Sequence, residues 1–152
     1  MRRFATGVTI VTTLLDDRRH GFTANAFASV SADPPMVLIC VNRGAASHEM
    51  ISRSRIFCVN VLSLEGQPIA ERFSSSRISD KFEGMPARTA RTGAPVLPDA
   101  FAYFDCTLAE EHRAGTHTIF LGNVVGLGAS TGSPLGYFDG RYADFHLSID
   151  PS

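Results

Sequence analysis

Charge is scarce in this chain. Asp, Glu, Lys and Arg make up 19% of its 152 residues, against about 25% in an average globular domain. Fourteen Lys and Arg face fifteen Asp and Glu, for a formal net charge of −1. There is no basic excess or stripe of the kind a phosphate-gripping nucleic-acid binder needs, so no nucleic-acid partner is expected. No stretch approaches the roughly 20 apolar residues of a membrane helix, and no membrane partner is expected either. Cysteine is also scarce: Cys40, Cys58 and Cys106 are an odd number, far apart, each inside an apolar run. Without a CxxC pair they do not suggest a zinc site. The five histidines show no metal-like spacing, so no metal is expected. The thiols read as buried and reduced in a cytoplasmic protein. The basic opening Met1-Arg2-Arg3 is followed by a threonine- and valine-rich run without a small-residue cleavage site, and reads as folded chain.

Apolar residues, at 44%, are plentiful enough to exclude disorder. The length suits one core, and residues 1–152 read as a single domain. Val8 to Leu15 is β-branched and ends at a charged turn, Asp16 to His20. Gly21 to Val30 follows as its hairpin partner. Pro35 to Val41 and Ile56 to Leu64 are further apolar strands. Between them, Ser47 with Met50 and Ile51 at i+3 and i+4 predicts a short helix with Ser47 near its N-cap. Gly66 to Phe73 predicts a second, with Ile69, Ala70 and Phe73 on one face. Ser74 to Thr92 reads as a long polar loop with a helical turn. Then come strands at Phe101 to Ala109 and His117 to Leu127, and an aromatic hairpin, Leu135 to Phe145, about Asp139-Gly140. Six or more strands with helices only in the connections predict a closed antiparallel barrel.

Four segments are candidates for chemistry, although each has an ordinary structural explanation. Gly21 to Ser31 is a strand of small side chains against which a planar ligand could lie, held by backbone N–H groups. Ser31-Ala32-Asp33-Pro34-Pro35 is a stiff, extended entry to a strand. Asn42 to His48 offers a helix start and an arginine to a phosphate, without the GK[ST] of a P-loop. His117 opens an apolar strand just after Gly115 and could titrate near neutrality. No serine–histidine–acid set or carboxylate pair argues for hydrolysis.

In order, Phe4 to Thr13, Gly21-Phe22-Thr23-Ala24-Asn25-Ala26-Phe27-Ala28-Ser29-Val30-Ser31 and Asp33-Pro34-Pro35-Met36-Val37-Leu38 resemble the short-chain flavin reductases, the reductase components of two-component flavin-dependent monooxygenases. Ser47, Phe57 to Leu62, Lys81-Phe82, Gly115-Thr116-His117 and Pro134 to Tyr142 keep the family's order. The resemblance implies a mainly β, antiparallel FMN-binding split β-barrel of Greek-key type with short connecting helices, working as a homodimer. It implies reduction of FMN or FAD by NADH or NADPH, and a partner monooxygenase that receives the reduced flavin. By position, Thr23, Ala24, Asn25 and Ala26 would line the isoalloxazine ring, and Ser29, Val30 and Ser31 would continue that wall. Ser47, with Arg43 or Arg53, would meet the flavin phosphate. Phe73, Lys81 and Phe82 would sit near the ribityl or nucleotide side, His117 beside the nicotinamide, and Tyr142 close by. Thr116 and Ala26 depart from the acidic residue and the serine frequent in the family. A flavin-binding electron carrier on the same barrel is the alternative. A homodimer gives the low charge a use, because surplus apolar residues would then lie at the interface as well as in the core.

Overall fold

The computed structural model describes residues 1–146; residues 147–152, which the single-domain expectation also covers, lie outside them. β1 (Thr6–Gly7) leads into β2 (Thr9–Leu15), whose first five residues are buried. Asp16 and Asp17 then turn the chain at φ 49° and 61°, the left-handed pair that matches strand twist in a two-residue hairpin. β3 (Arg18–Ala24) returns beside β2, from Leu15↔Arg18 to Thr9↔Ala24. The turn is therefore shorter than expected, and Arg18, Arg19 and His20 belong to a strand.

The expected strand Gly21 to Val30 is divided. At Asn25 and Ala26 the chain leaves the first hairpin. The Phe27 N–H donates to the Asn25 carbonyl (3.0 Å) and the Ala26 carbonyl accepts from the Cys40 N–H (3.1 Å). β4 (Phe27–Ala32) then pairs with β5 (Pro35–Asn42) through a turn whose Asp33–Pro34 bond is cis. The predicted helices form as α1 (Ala46–Ser54) and α2 (Gln67–Ser74), with β6 (Ile56–Leu62) between them. The N-cap of α1 is Ala45, two residues before the Ser47 expected near it, so Ser47 lies inside the helix. The polar segment after α2 ends in a small pair, β7 (Arg88–Thr89) with β8 (Pro95–Val96). β9 (Ala100–Ala114) and β10 (His117–Ala129) form a long ribbon, and β11 (Leu135–Phe138) and β12 (Arg141–Asp144) the aromatic hairpin.

Seven strands make one antiparallel sheet in the order β3-β2-β6-β9-β10-β5-β4, and β1-β11-β12 make a second. The edges of the large sheet, β3 and β4, are consecutive in the chain and joined only by Asn25 and Ala26. Six inter-strand gaps of about 4.8 Å put the edges of a flat sheet nearly 30 Å apart. Three Cα steps of about 3.8 Å reach little more than 11 Å. The sheet must curl until its edges meet. Phe57, Phe120, Ile39, Val11, Val59 and Cys106 fill the inside, with Ile51 of α1 plugging one side. Among the described residues no ladder joins β3 to β4, so the barrel expected from the strand count is a curled sheet, open along this seam.

A second core lies under α2, where Phe73, Ala70, Leu62, Leu97, Val8 and Leu135 pack together. α2 approaches β3 closely because residue 21 has no side chain: a Cβ there would stand 2.6 Å from Phe73 Cε1.

Candidate functional site

At the seam a cleft of about 330 Å³ opens between the large sheet, the end of α2 and the small sheet. Thr23, Ala24 and Asn25 form one wall, Tyr137, Gly140 and Tyr142 the other, and Val8 and Ser74 close the slot. Each wall is fixed by its own bonds. The Thr9 hydroxyl donates to the Ala24 carbonyl (2.7 Å), which holds the last residue of β3 to β2. The Thr23 hydroxyl donates to the Ala70 carbonyl (2.6 Å) and ties β3 to α2. Tyr137 and Tyr142 are directly opposed across β11 and β12, their rings edge to face with centroids 5.7 Å apart. Burial, then the nearby Glu71 and Tyr137, push the Tyr142 phenol above its ordinary pKa. It is therefore protonated at neutral pH and available as a donor. The slot has small side chains on one side and aromatic faces on the other, a shape suited to a flat ring.

His117 stands at the start of β10, exposed, with Nδ1 2.9 Å from the Thr116 hydroxyl. It pairs with Asn42 of β5, two residues from Cys40, whose N–H meets Ala26. That is roughly 7 Å along the strand, so His117 lies on the same side of the seam as Ala26. The Asn42–Gly44 turn is clamped to this corner. The Arg43 N–H donates to the Thr116 carbonyl (3.0 Å), and Nη1 reaches the Gly115 carbonyl at 3.5 Å. Beneath it, His48 Nε2 lies 2.8 Å from the Thr118 hydroxyl, and its ring packs on Phe120.

Other expected site residues are placed differently. Phe73 and Phe82 are core: 0% and 3% exposed, stacked edge to face at 5.1 Å. Neither lines the slot; Phe82 edges a separate hollow beside Arg19 and Lys81. Ser47 is 2% exposed, because the helix starts before it and turns it inward. Arg53 lies in the last turn of α1 and faces Glu49 (3.4 Å) and Asp16 (3.9 Å), away from the helix start where a phosphate was expected. Ser29, Val30 and Ser31 do not continue the Thr23–Asn25 wall. A bulge at Val30 interrupts the β4–β5 ladder, and these residues line a separate groove with Met36, Phe104, Val124 and Leu127. Lys81 Nζ donates to the Phe73 carbonyl (2.7 Å), and burial lowers its pKa. Val8, Ser74, Tyr137 and Gly140 were not anticipated. Only Tyr137 left a signal, since it and Tyr142 flank the Asp139-Gly140 turn at cross-strand positions. Among the described residues no cluster of three His, Cys, Asp or Glu is placed to hold a metal ion, and no helix is long and apolar enough to cross a membrane.

A curled antiparallel sheet with a flat, aromatic-walled slot at its open seam defines a β-domain built to hold a planar ligand. Residues 1–146 match the flavin reductase like domain, and the chain belongs to that family. It is 38% identical over 143 residues to the reductase subunit HsaB of a flavin-dependent monooxygenase from Mycobacterium tuberculosis, covering 92% of this chain and 76% of that one. It is 42% identical over 121 residues to the FMN reductase (NADH) RutF of Bradyrhizobium diazoefficiens, covering 79% and 67%. Among solved structures, the NADH:FAD oxidoreductase SgcE6 of Streptomyces globisporus, in complex with NAD and FAD fragments, superposes with a TM-score of 0.91. That match has 33% identity and covers 97% of this chain and 90% of that one. The slot fits an isoalloxazine ring in volume and in its donor set, with the Asn25 amide on one wall and the Tyr142 phenol on the other.

Proposed function

We propose that this chain is an NADH-dependent flavin reductase, an NADH:flavin oxidoreductase of the EC 1.5.1 type, that reduces FMN or FAD and supplies it to a partner monooxygenase in the cytoplasm. The same reading takes residues 1–152 as one domain and two chains as the working unit. The observation that carries it is the slot at the seam, where Thr23, Ala24 and Asn25 face Tyr137 and Tyr142; the activities named for the relatives support it.

When bound, the flavin supplies the ring that accepts hydride from NADH. Thr23, Ala24, Asn25 and Ala26 hold the ring edge, with the Thr23 hydroxyl kept in place by the Ala70 carbonyl. No bulky side chain projects from this wall, which leaves one ring face open to a second planar group at near-attack distance. The Asn25 amide and the protonated Tyr142 phenol are donors on the two walls, able to stabilise charge that grows on the ring. His117, braced at Nδ1 by Thr116, keeps Nε2 free to orient the nicotinamide carboxamide or to deliver a proton.

The direct test is to mix the protein with NADH and FMN or FAD and follow the nicotinamide absorbance. Flavin-dependent consumption is expected. A yellow protein that ignores NADH and NADPH would instead be an electron carrier, and a colourless one without flavin affinity would overturn both readings. In His117→Ala, NADH turnover should fall by about tenfold or more, in the range of lost orienting or proton-transfer groups, with flavin binding retained. Unchanged kinetics would remove His117 from the site.

The homodimer is supported by the groove beside β4. Val30 and Leu127 are 46% and 64% exposed there and sit with Met36, Phe104 and Val124 on one apolar strip, which a second copy would cover. Light scattering at micromolar concentration should give the mass of two chains. The mass of one would leave both the strip and the low charge without a use.

A further inference from the structure

Away from the slot, the β9–β10 ribbon carries two open hollows, of about 480 and 220 Å³, that meet at Tyr103. Arg91 lies in the larger and Arg88 in the smaller, and no lining residue of either is acidic. Neither hollow shares a residue with the slot. The positive charge there is uncompensated. Among the described residues neither Arg88 nor Arg91 forms an ion pair. The neighbouring carboxylate, Asp105, is spent on the Arg91 and Thr92 N–H groups and the Thr92 hydroxyl.

The cations are also held in position. Gly128 faces Tyr103 across the ladder, and a Cβ there would stand 2.5 Å from Tyr103 Cε1. A residue without a side chain is what lets the phenol ring cross over β10. The Arg88 guanidinium lies 4.9 Å from the centroid of that ring, oriented without using a carboxylate. Arg88 is paired with Val96 in the β7–β8 ladder, and Asp105 pins the backbone at Arg91. Both side chains therefore leave from backbone that is tied down.

The spacing of the charges selects the ligand. Three Cα steps put the two arginine backbones at most about 11 Å apart. In an extended chain alternate side chains point the same way, about 7 Å apart. Carboxylates at alternate positions can therefore meet both guanidiniums, whose planar forks match a carboxylate. A small acid is served less well, because neither open hollow would enclose it. Tyrosine flanked by arginine is also the side-chain chemistry enriched where proteins meet. Self-association does not suit the surface. A two-fold contact sets a patch against its own copy, and here that would bring arginine to arginine. We propose that the Arg88–Tyr103–Arg91 surface docks an acidic, extended segment of a partner protein, with carboxylates at alternate positions. This does not depend on the flavin reductase reading.

The test titrates the isotope-labelled protein with the peptide acetyl-(Glu-Ser)4-amide at low salt and follows the backbone amide signals. Shifts should centre on residues 88–91, 103 and 126–130, and shrink as sodium chloride is added. Arg88→Gln and Arg91→Glu should each weaken binding by about fivefold or more, the upper range for one exposed charge contact. The second substitution leaves the cation–aromatic stack alone, and an unchanged melting temperature in both shows that the fold is intact. Acetyl-(Lys-Ser)4-amide should not bind. No binding of the glutamate peptide, or equal affinity in parent and variants, would overturn the proposal. So would shifts centred on another basic cluster, such as Arg18, Arg19 and Lys81. If Arg91→Glu instead turned a dimer into single chains by light scattering, the surface would belong to a second copy and the proposal would fall.

Discussion

Asp105→Ala should lower the unfolding free energy by about 2–3 kcal/mol, because it takes the acceptor from three partly buried donors at once. Asp105 is fully buried in β9, on the face of the sheet away from the barrel interior. Its Oδ2 accepts the Arg91 N–H (2.7 Å) and the Thr92 N–H (2.8 Å), and its Oδ1 accepts the Thr92 hydroxyl (2.5 Å). The carboxylate therefore does the work of a missing strand, giving the backbone between β7 and β8 its acceptors. Alanine leaves two N–H groups and a hydroxyl facing an apolar gap beside Cys58, whose thiol burial already holds well above its ordinary pKa. An orphaned buried donor costs about 1–3 kcal/mol, and these three, on the half-exposed 91–92 segment, each cost toward the lower end. Urea unfolding should show the midpoint falling with little change in slope. Asp105→Asn, which keeps one acceptor oxygen, should lose roughly half as much. A loss below about 1 kcal/mol for the alanine variant would mean that water reaches those donors.

Asn25→Trp should act on binding and spare the fold. Asn25 is exposed at the link between β3 and β4, and no strand ladder depends on its side chain. Such surface changes normally stay within about 0.5 kcal/mol. An indole there would occupy much of a slot of about 330 Å³, and riboflavin affinity should fall on the order of a hundredfold, about 2.7 kcal/mol. Fluorescence titration and urea unfolding of the same preparation separate the two effects. Parent-like riboflavin binding would move the ring to another part of the surface.

The elements that local chemistry dictates were legible in the sequence. β2, β5 and β6 are β-branched apolar runs. α1 and α2 carry i, i+3 and i+4 apolar residues, of which Ile51, Ala70 and Phe73 are fully buried. The aromatic hairpin turns where Asp139-Gly140 places positive φ. What was missed depends on residues far apart in the chain. Nothing in Asn25-Ala26 announces that β4 will abandon β3 for β5, because that choice is made by the curl of the whole sheet. β9 runs five residues beyond the expected Ala109. Glu110 to Ala114 are exposed and break the alternation, yet they stay extended by pairing with His117 to Leu121. In the site, Thr23 to Asn25 stood out from their own neighbourhood, and Tyr142 came from the family resemblance. Ser74 is brought to Thr23–Asn25 from about 50 positions away in the chain. Phe73, fully buried, shows that resemblance transfers position along a chain but not depth below a surface.

The open seam also bears on how such a domain can be tuned. Every other junction in the large sheet is a ladder, where inserting one residue would turn the side chains beyond it to the opposite face. The junction between β3 and β4 has no register to lose. Its gap is set by the length and conformation of two linking residues, 25 and 26, of which Asn25 lines the slot. Lengthening or stiffening that link would resize the ligand space while leaving every cross-strand partner where it is, so breadth of ligand acceptance and integrity of the scaffold are controlled by separate stretches of sequence.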